Sequence, residues 1–165
     1  MSVIYGPTEY DELYTDYRHY PFFARRALLL QDVVGMLRTQ PLLVAGCGWG
    51  YLMVELEQLG FTEVWGLDAS PYALERAERV LGGSERLIEG DVLELDTSFP
   101  IVVSEDLLPC ATNASEAVAM HERMVAASQT LVHILTPGTS GDDRVLWLSG
   151  RSWRELLSPT AVVTS

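Results

Sequence analysis

Residues 41–70 read PLLVAGCGWGYLMVELEQLGFTEVWGLDAS, and this stretch decides the fold. Leu42-Leu43-Val44-Ala45 is a short apolar run without alternation, the pattern of a strand buried on both faces. Three glycines follow at alternate positions in Gly46-Cys47-Gly48-Trp49-Gly50. Leu52, Met53, Leu56 and Leu59 then recur at helical spacing, with Gly60 as the stop. Glu63-Val64-Trp65-Gly66-Leu67 reads as a second strand and delivers Asp68 at its carboxyl end. Strand, glycine turn, helix, strand and acid together have the physics of an adenosine-binding crevice. Glycine lets the backbone turn tightly and approach a ligand with no Cβ in the way. The helix start offers free N–H groups, and the acid can accept both ribose hydroxyls.

The glycine spacing is G-x-G-x-G, one residue shorter than the dinucleotide fingerprint whose helix start is aimed at a pyrophosphate. A third element sharpens the reading: Ile88-Glu89-Gly90-Asp91-Val92 is a strand ending in Gly-Asp. With these residues the chain resembles the class I S-adenosylmethionine-dependent methyltransferases, over about residues 41–135. The resemblance implies an α/β fold, Rossmann-like and doubly wound, with a mostly parallel sheet and helices on both faces. It implies S-adenosyl-L-methionine as cofactor. In that family the glycine turn faces the methionine part, which here means Ala45, Gly46, Cys47, Gly48, Gly50 and Tyr51. The acid after the second strand holds the ribose, here Asp68 with Ala69 and Ser70, and the acid after the third meets the adenine, here Asp91 with Gly90 and Val92. One departure stands out. The family usually has an acid two positions before the first glycine, to help hold the cofactor's ammonium end, and this chain has Val44. The runs GCGWGYL, WGLDASPYAL and VVSEDLLPC are also similar to small methyltransferase-like proteins of bacteriophages.

Further along, Ser70-Pro71 is a helix cap with proline in the first turn, and a helix is expected over residues 72–81. Residues 92–100 are too few for a full crossover helix, so a loop or a single turn is expected there. The fourth strand is Ile101-Val102-Val103, ending in Ser104-Glu105-Asp106-Leu107-Leu108-Pro109-Cys110. In an open parallel sheet, ligands bind beyond the carboxyl ends of the strands, where strand order reverses. In this fold the fourth strand lies beside the first, so residues 104–109 should line the methyl-transfer site, with Ser104 near the cofactor. Glu105 and Asp106 are the catalytic candidates: a carboxylate there can bind an ammonium, orient a nucleophile or act as general base. The structural alternative is a helix cap or a solvated surface acid. A helix over residues 116–127, capped by Asn113 or Ser115, leads to a fifth strand over 130–135. His133 lies inside that strand and reads as a satisfied core residue rather than a catalyst. No histidine pair with a carboxylate has metal-ligand spacing, so no metal is predicted.

One domain is expected over residues 1–165, with a helical cap or lid over 1–40, a cofactor-binding core over 41–135 and a shortened C-terminal part over 136–165. Tyr10, Tyr14 and Tyr17 fall at helical spacing and fit either a helix packed on the domain or a lid over the cofactor. A helix over residues 22–38 leads into the first strand. In the tail, 145–148 and 161–163 are strand candidates, and Arg151, Trp153 and Arg154 are candidates for substrate contacts or for surface packing. Too few residues remain for the family's closing hairpin, so the sheet should have six strands or fewer. That leaves an edge through which a homodimer could form.

The formal net charge is −12, from 11 basic and 23 acidic residues, which weighs against a duplex nucleic acid substrate. The one tight basic cluster is Arg25-Arg26. No apolar run approaches the length of a membrane span and no signal-peptide pattern opens the chain, so no membrane partner is expected. Two cysteines, Cys47 and Cys110, form no disulfide framework, which fits a reducing cytoplasmic setting. The sequence thus points to methyl transfer to a small-molecule or protein acceptor. The competing readings are a non-catalytic S-adenosylmethionine-binding protein acting through protein contacts, and a dinucleotide oxidoreductase, which the glycine spacing disfavours. The chain lacks the Asn-Pro-Pro-aromatic run of base-amino methylases after strand four. Its Pro109-Cys110 lies further from the strand end than in cytosine-C5 methylases.

Overall fold

A computed structural model describes residues 6–8, 11, 22–135 and 156–157. The described chain alternates helices and strands. They are α1 (Phe22–Val34), β1 (Leu42–Ala45), α2 (Tyr51–Gln58), β2 (Val64–Asp68), α3 (Pro71–Leu81), β3 (Leu87–Glu89), β4 (Phe99–Glu105), α4 (Ala114–Ala126) and β5 (Ser128–Ile134). The five strands form one sheet in the order β3-β2-β1-β4-β5, and every pairing is parallel. Strand order reverses between β1 and β4, which creates the crevice at their carboxyl ends.

Side-chain alternation sorts the core into two layers. Leu42, Val44, Ile101 and Val103 point to one face, where Phe23, Ala27, Leu30 and Val34 of α1 and Leu52, Met53 and Leu56 of α2 cover them. Leu43, Ala45 and Val102 point to the other, under Ala117, Met120 and Met124 of α4. Between β3 and β4 the second layer is thin, as the short connection demands. A single 3-10 turn, Val92–Glu94, with Leu95 takes the place of a crossover helix. Val44, which stands where the family usually has an acid, is 1% exposed and belongs to the apolar core.

The local signals explain the element ends. Ser70 Oγ accepts from the Ala73 N–H at 3.3 Å, with Pro71 in the first turn, and Gly82 closes α3 in the left-handed conformation. Asn113 rather than Ser115 caps α4, its Oδ1 accepting from the Glu116 N–H at 3.0 Å. Several boundaries differ from expectation: β4 begins at Phe99 rather than Ile101, α4 at Ala114 rather than Glu116 and β5 at Ser128 rather than Thr130. The first helix stops at Val34 and tightens into a 3-10 turn at Gly35–Leu37. The fourth strand runs on to Glu105, because Ser104 pairs with Ala45 on one side and Glu105 with Ile134 on the other. Tyr5, Tyr10, Tyr14, Tyr17 and Tyr20, the tail strands and Arg151, Trp153 and Arg154 lie outside the described residues.

Candidate active site

The glycine turn joins β1 to α2 and folds back on the end of β2. Gly46, Gly48 and Gly50 have φ of 73°, 53° and 78°, a left-handed backbone that only glycine adopts freely. Gly46 N–H and Cys47 N–H both donate to the Leu67 carbonyl, at 2.8 and 2.9 Å. Asp68, 8% exposed, accepts from Gly48 N–H at 2.8 Å through Oδ2 and from Ser70 N–H at 2.9 Å through Oδ1. These two bonds orient the carboxylate at the carboxyl end of β2. Gly66 is required for a different reason: a Cβ there would sit 2.6 Å from Met53 Sδ and 2.8 Å from Cys47 Sγ. Cys47 itself is buried, and burial followed by the Asp68 charge pushes its thiol well up, so it is an inert packing group.

Asp91 follows β3 and accepts from Leu93 N–H at 2.9 Å, which opens the 3-10 turn and buries Val92. Gly90 N–H donates to the Asp68 carbonyl at 3.0 Å, so the two acids are tied through the backbone. Tyr51 is half-buried, its ring 5.7 Å from Phe23 and 6.4 Å from Trp49. Arg76 lies over the Trp49 and Tyr72 rings, at 5.4 and 5.3 Å. The Tyr72 hydroxyl donates to Asp11 at 2.8 Å, which brings part of the N-terminal segment to the start of α3.

Glu105 and Asp106 end β4 on the α1 side of the sheet. A Cβ on Gly46 would lie 2.9 Å from Leu107 Cδ1, so the loop after β4 rests directly on the glycine turn. Asp106 has φ of 47°, uncommon for a residue with a side chain, and its N–H donates to Ile134 at 2.9 Å. Arg26 of α1, unassigned by the sequence reading, reaches both acids. Its Nε is 2.8 Å from Glu105 Oε1 and its Nη2 3.3 Å from Asp106 Oδ2, with the Phe22 ring 4.2 Å from the guanidinium. Burial raises the Glu105 carboxyl to about 8, Asp106 adds to the rise, and Arg26 only partly opposes it. Glu105 therefore keeps its proton near neutral pH. The spacing of Arg25-Arg26 gave no hint of this pairing, because the partners are 80 residues apart.

Ser104 does not share that crevice. It is fully buried on the opposite, α4 face, where its Oγ lies 2.6 Å from His133 Nδ1, and His133 Nε2 lies 3.0 Å from His121 Nδ1. Parallel register explains it: Ser104 and His133 are cross-strand partners and point the same way. Burial and His121 hold His133 down at about 3, and burial lowers His121, so both rings are neutral. His133 is a satisfied core residue, as expected, but His121 is its partner. Cys110 sits in a 3-10 turn with Sγ 3.7 Å from the Asp106 carbonyl.

The family model for a methyltransferase domain matches residues 43–132, more than half of the chain. No curated relative matches its sequence. Among solved structures, the chain is similar to magnesium protoporphyrin IX methyltransferase (ChlM) of Synechocystis PCC 6803 with bound SAM. That match has 21% identity and a TM-score of 0.62, over 81% of this chain and 64% of that one. It is also similar to CalS10 of Micromonospora echinaspora, an amino pentose methyltransferase, with 24% identity and a TM-score of 0.60 over 84% and 56%. The sugar N-methyltransferase KedS8 of Streptoalloteichus gives 22% identity and a TM-score of 0.64 over 86% and 61%. The chain thus spans less than two thirds of each of these structures. The likeness shows the fold, which is the Rossmann-like methyltransferase fold. No helix among the described residues is long and apolar enough to cross a membrane. With β3-β2-β1-β4-β5 order, a glycine turn keyed to Asp68 and a matching family model, this chain belongs to the methyltransferase domain family.

Proposed function

We propose that this chain binds S-adenosyl-L-methionine in the crevice between β1, β2 and β3 and transfers its methyl group to a small-molecule acceptor held at the end of β4. The observation that carries the reading is Asp68, oriented by Gly48 and Ser70 N–H groups, with the loop bearing Glu105 and Asp106 packed on the same glycine turn through Leu107. The donor set suits the cofactor. Asp68 is a carboxylate held in a fixed orientation at the end of β2, where it would accept from the ribose hydroxyls, and Gly90, Asp91 and Val92 follow β3 where the adenine would lie. Ala45, Gly46, Cys47, Gly48, Gly50 and Tyr51 would border the methionine part, with Ala69 and Ser70 beside the ribose. Ser104 is withdrawn from this set, since its hydroxyl is engaged by His133 on the other face of the sheet.

When bound, the cofactor supplies a sulfonium methyl, an activated group whose transfer needs mainly positioning. Arg26 holds Glu105 and Asp106 in place, and Glu105 in its ionised form accepts a proton from the acceptor as its nucleophile attacks. A carboxyl raised to about 8 suits deprotonation of an amine or hydroxyl near neutral pH. Two of the similar structures are an amino pentose methyltransferase and a sugar N-methyltransferase, which supports a small acceptor here. The buried Val44 leaves the usual acid's role unfilled and favours the second reading, a cofactor-binding protein without turnover.

The test is release of S-adenosylhomocysteine in the presence of a panel of small amines and alcohols. Turnover with at least one acceptor is expected. In Glu105→Gln, kcat should fall about 100-fold with cofactor affinity kept. Binding without turnover across the panel would favour the non-catalytic reading.

A further inference from the structure

Helix α1 has two faces. Phe23, Ala27, Leu30 and Val34 are buried against the sheet and α2. The opposite face is apolar as well: Leu28 is 51% exposed, Leu29 57% and Val33 54%, and Met36 in the following turn is 99% exposed. Arg25 and Asp32, both exposed, complete this outer stripe. At 100° per residue, positions 25, 29, 32 and 36 fall on one line, with 28 and 33 on its flanks. Positions 25 and 32 are about 10 Å apart along the helix, too far to pair with each other. Among the described residues neither makes an ion pair.

We propose that this stripe joins two copies of the chain, α1 packing antiparallel on α1 across a two-fold axis. The argument is charge complementarity. Arg25 lies three residues before Leu28, and Asp32 three residues after Leu29. An antiparallel copy therefore sets Arg25 over Asp32 and Leu28 over Leu29, and the two-fold axis makes each pairing twice. A partner of one charge sign would meet repulsion at Asp32 or at Arg25, whereas a second copy satisfies both. The same helix holds Arg26 against Glu105 and Asp106 from its side, so the dimer would brace the element that orders the acids. This inference does not depend on the methyltransferase reading.

A helix of this length offers a strip of roughly 20 by 10 Å, about 400 Å² over both copies and well below the standard interface size, so a weak, reversible dimer is expected. The experiment is sedimentation velocity on the full chain from about 5 to 500 µM, the range suited to a small interface. The dimer fraction should rise with concentration, and Leu29→Glu should abolish it. Arg25→Asp and Asp32→Arg, each a surface change, should each weaken association about tenfold, by setting like charges together. An equimolar mixture of those two variants should form a heterodimer at least as tight as the parent, because every facing pair is again opposite in sign. A chain monomeric throughout the range overturns the proposal. So does a dimer indifferent to Leu29→Glu, which would lie elsewhere, such as the sheet edge, and so does a mixture no tighter than its components.

Discussion

Replacing Arg26 by Met removes the cation that, among the described residues, lies on Glu105 and Asp106, while keeping most of the packing beside Phe22. The consequence depends on pH in a way that can be worked out. Glu105 has a folded value of about 8 against an ordinary 4.5, so this group favours the folded state most below 4.5 and loses that contribution as pH rises through 8. In the parent the loss stops near 8, because the acid ionises against Arg26. In Arg26→Met the burial and the Asp106 charge remain and the opposing cation is gone, so ionisation moves higher and the loss continues. Each further pH unit costs the variant about 1.4 kcal/mol that the parent does not lose. At pH 6 the variant lacks the partly buried Arg26–Asp106 contact and the Arg26 contact to protonated Glu105, together worth about 1 kcal/mol. At pH 9.5 the deficit should reach about 3 kcal/mol, since about 1.5 units above 8 add about 2 kcal/mol. Urea unfolding at the two pH values measures it, and ionisation of other groups cancels between the two proteins. In a Glu105→Gln background the alkaline increment should vanish. A deficit equal at both pH values, or one that persists in Glu105→Gln, refutes the coupling of Arg26 to the Glu105 proton.

The buried Ser104–His133–His121 chain should set the acid limb of stability. His133 is depressed to about 3 from 6.5, so its contribution is complete above 6.5 and is lost as pH falls toward 3. His133→Leu should cost about 2 kcal/mol at pH 7, because the Ser104 and His121 polar atoms lose a partner. Near pH 5 the cost should shrink toward zero in thermal melts, and a constant cost would sink this assignment. Gly66→Ala should lower stability by about 1–3 kcal/mol through overpacking against Met53 and Cys47. Differential scanning calorimetry would reveal an unchanged midpoint if that contact were wrong.

What could be read from the sequence was what is local. The apolar run 42–45, the glycine triplet and Asp68 lie within about thirty residues, and their spacing alone implied β1, its turn, α2 and β2. Ser70 with Pro71, and Asn113, announced their helices because caps act within one turn. The position of β4 beside β1 came from the family resemblance and holds in register. What escaped was long-range side-chain pairing. Arg26 meets Glu105 and Asp106 across some 80 residues, and no periodicity encodes that. Ser104 was assigned to the crevice because it follows the apolar residues of β4. The strand in fact continues through it, and alternation then turns its hydroxyl to the α4 face while Glu105 turns to α1. A count by twos from Val102 would have sent Ser104 to the same side as His133.

The central claim is that the glycine turn and Asp68 form an S-adenosylmethionine site. Isothermal titration of the cofactor into the parent and into Asp68→Ala tests it most directly. The account predicts one saturable site in the parent and a loss of about 10- to 100-fold in affinity in the variant, the worth of hydrogen bonds to a buried charge. Equal affinity in the two proteins, or no heat of binding in the parent, would contradict it.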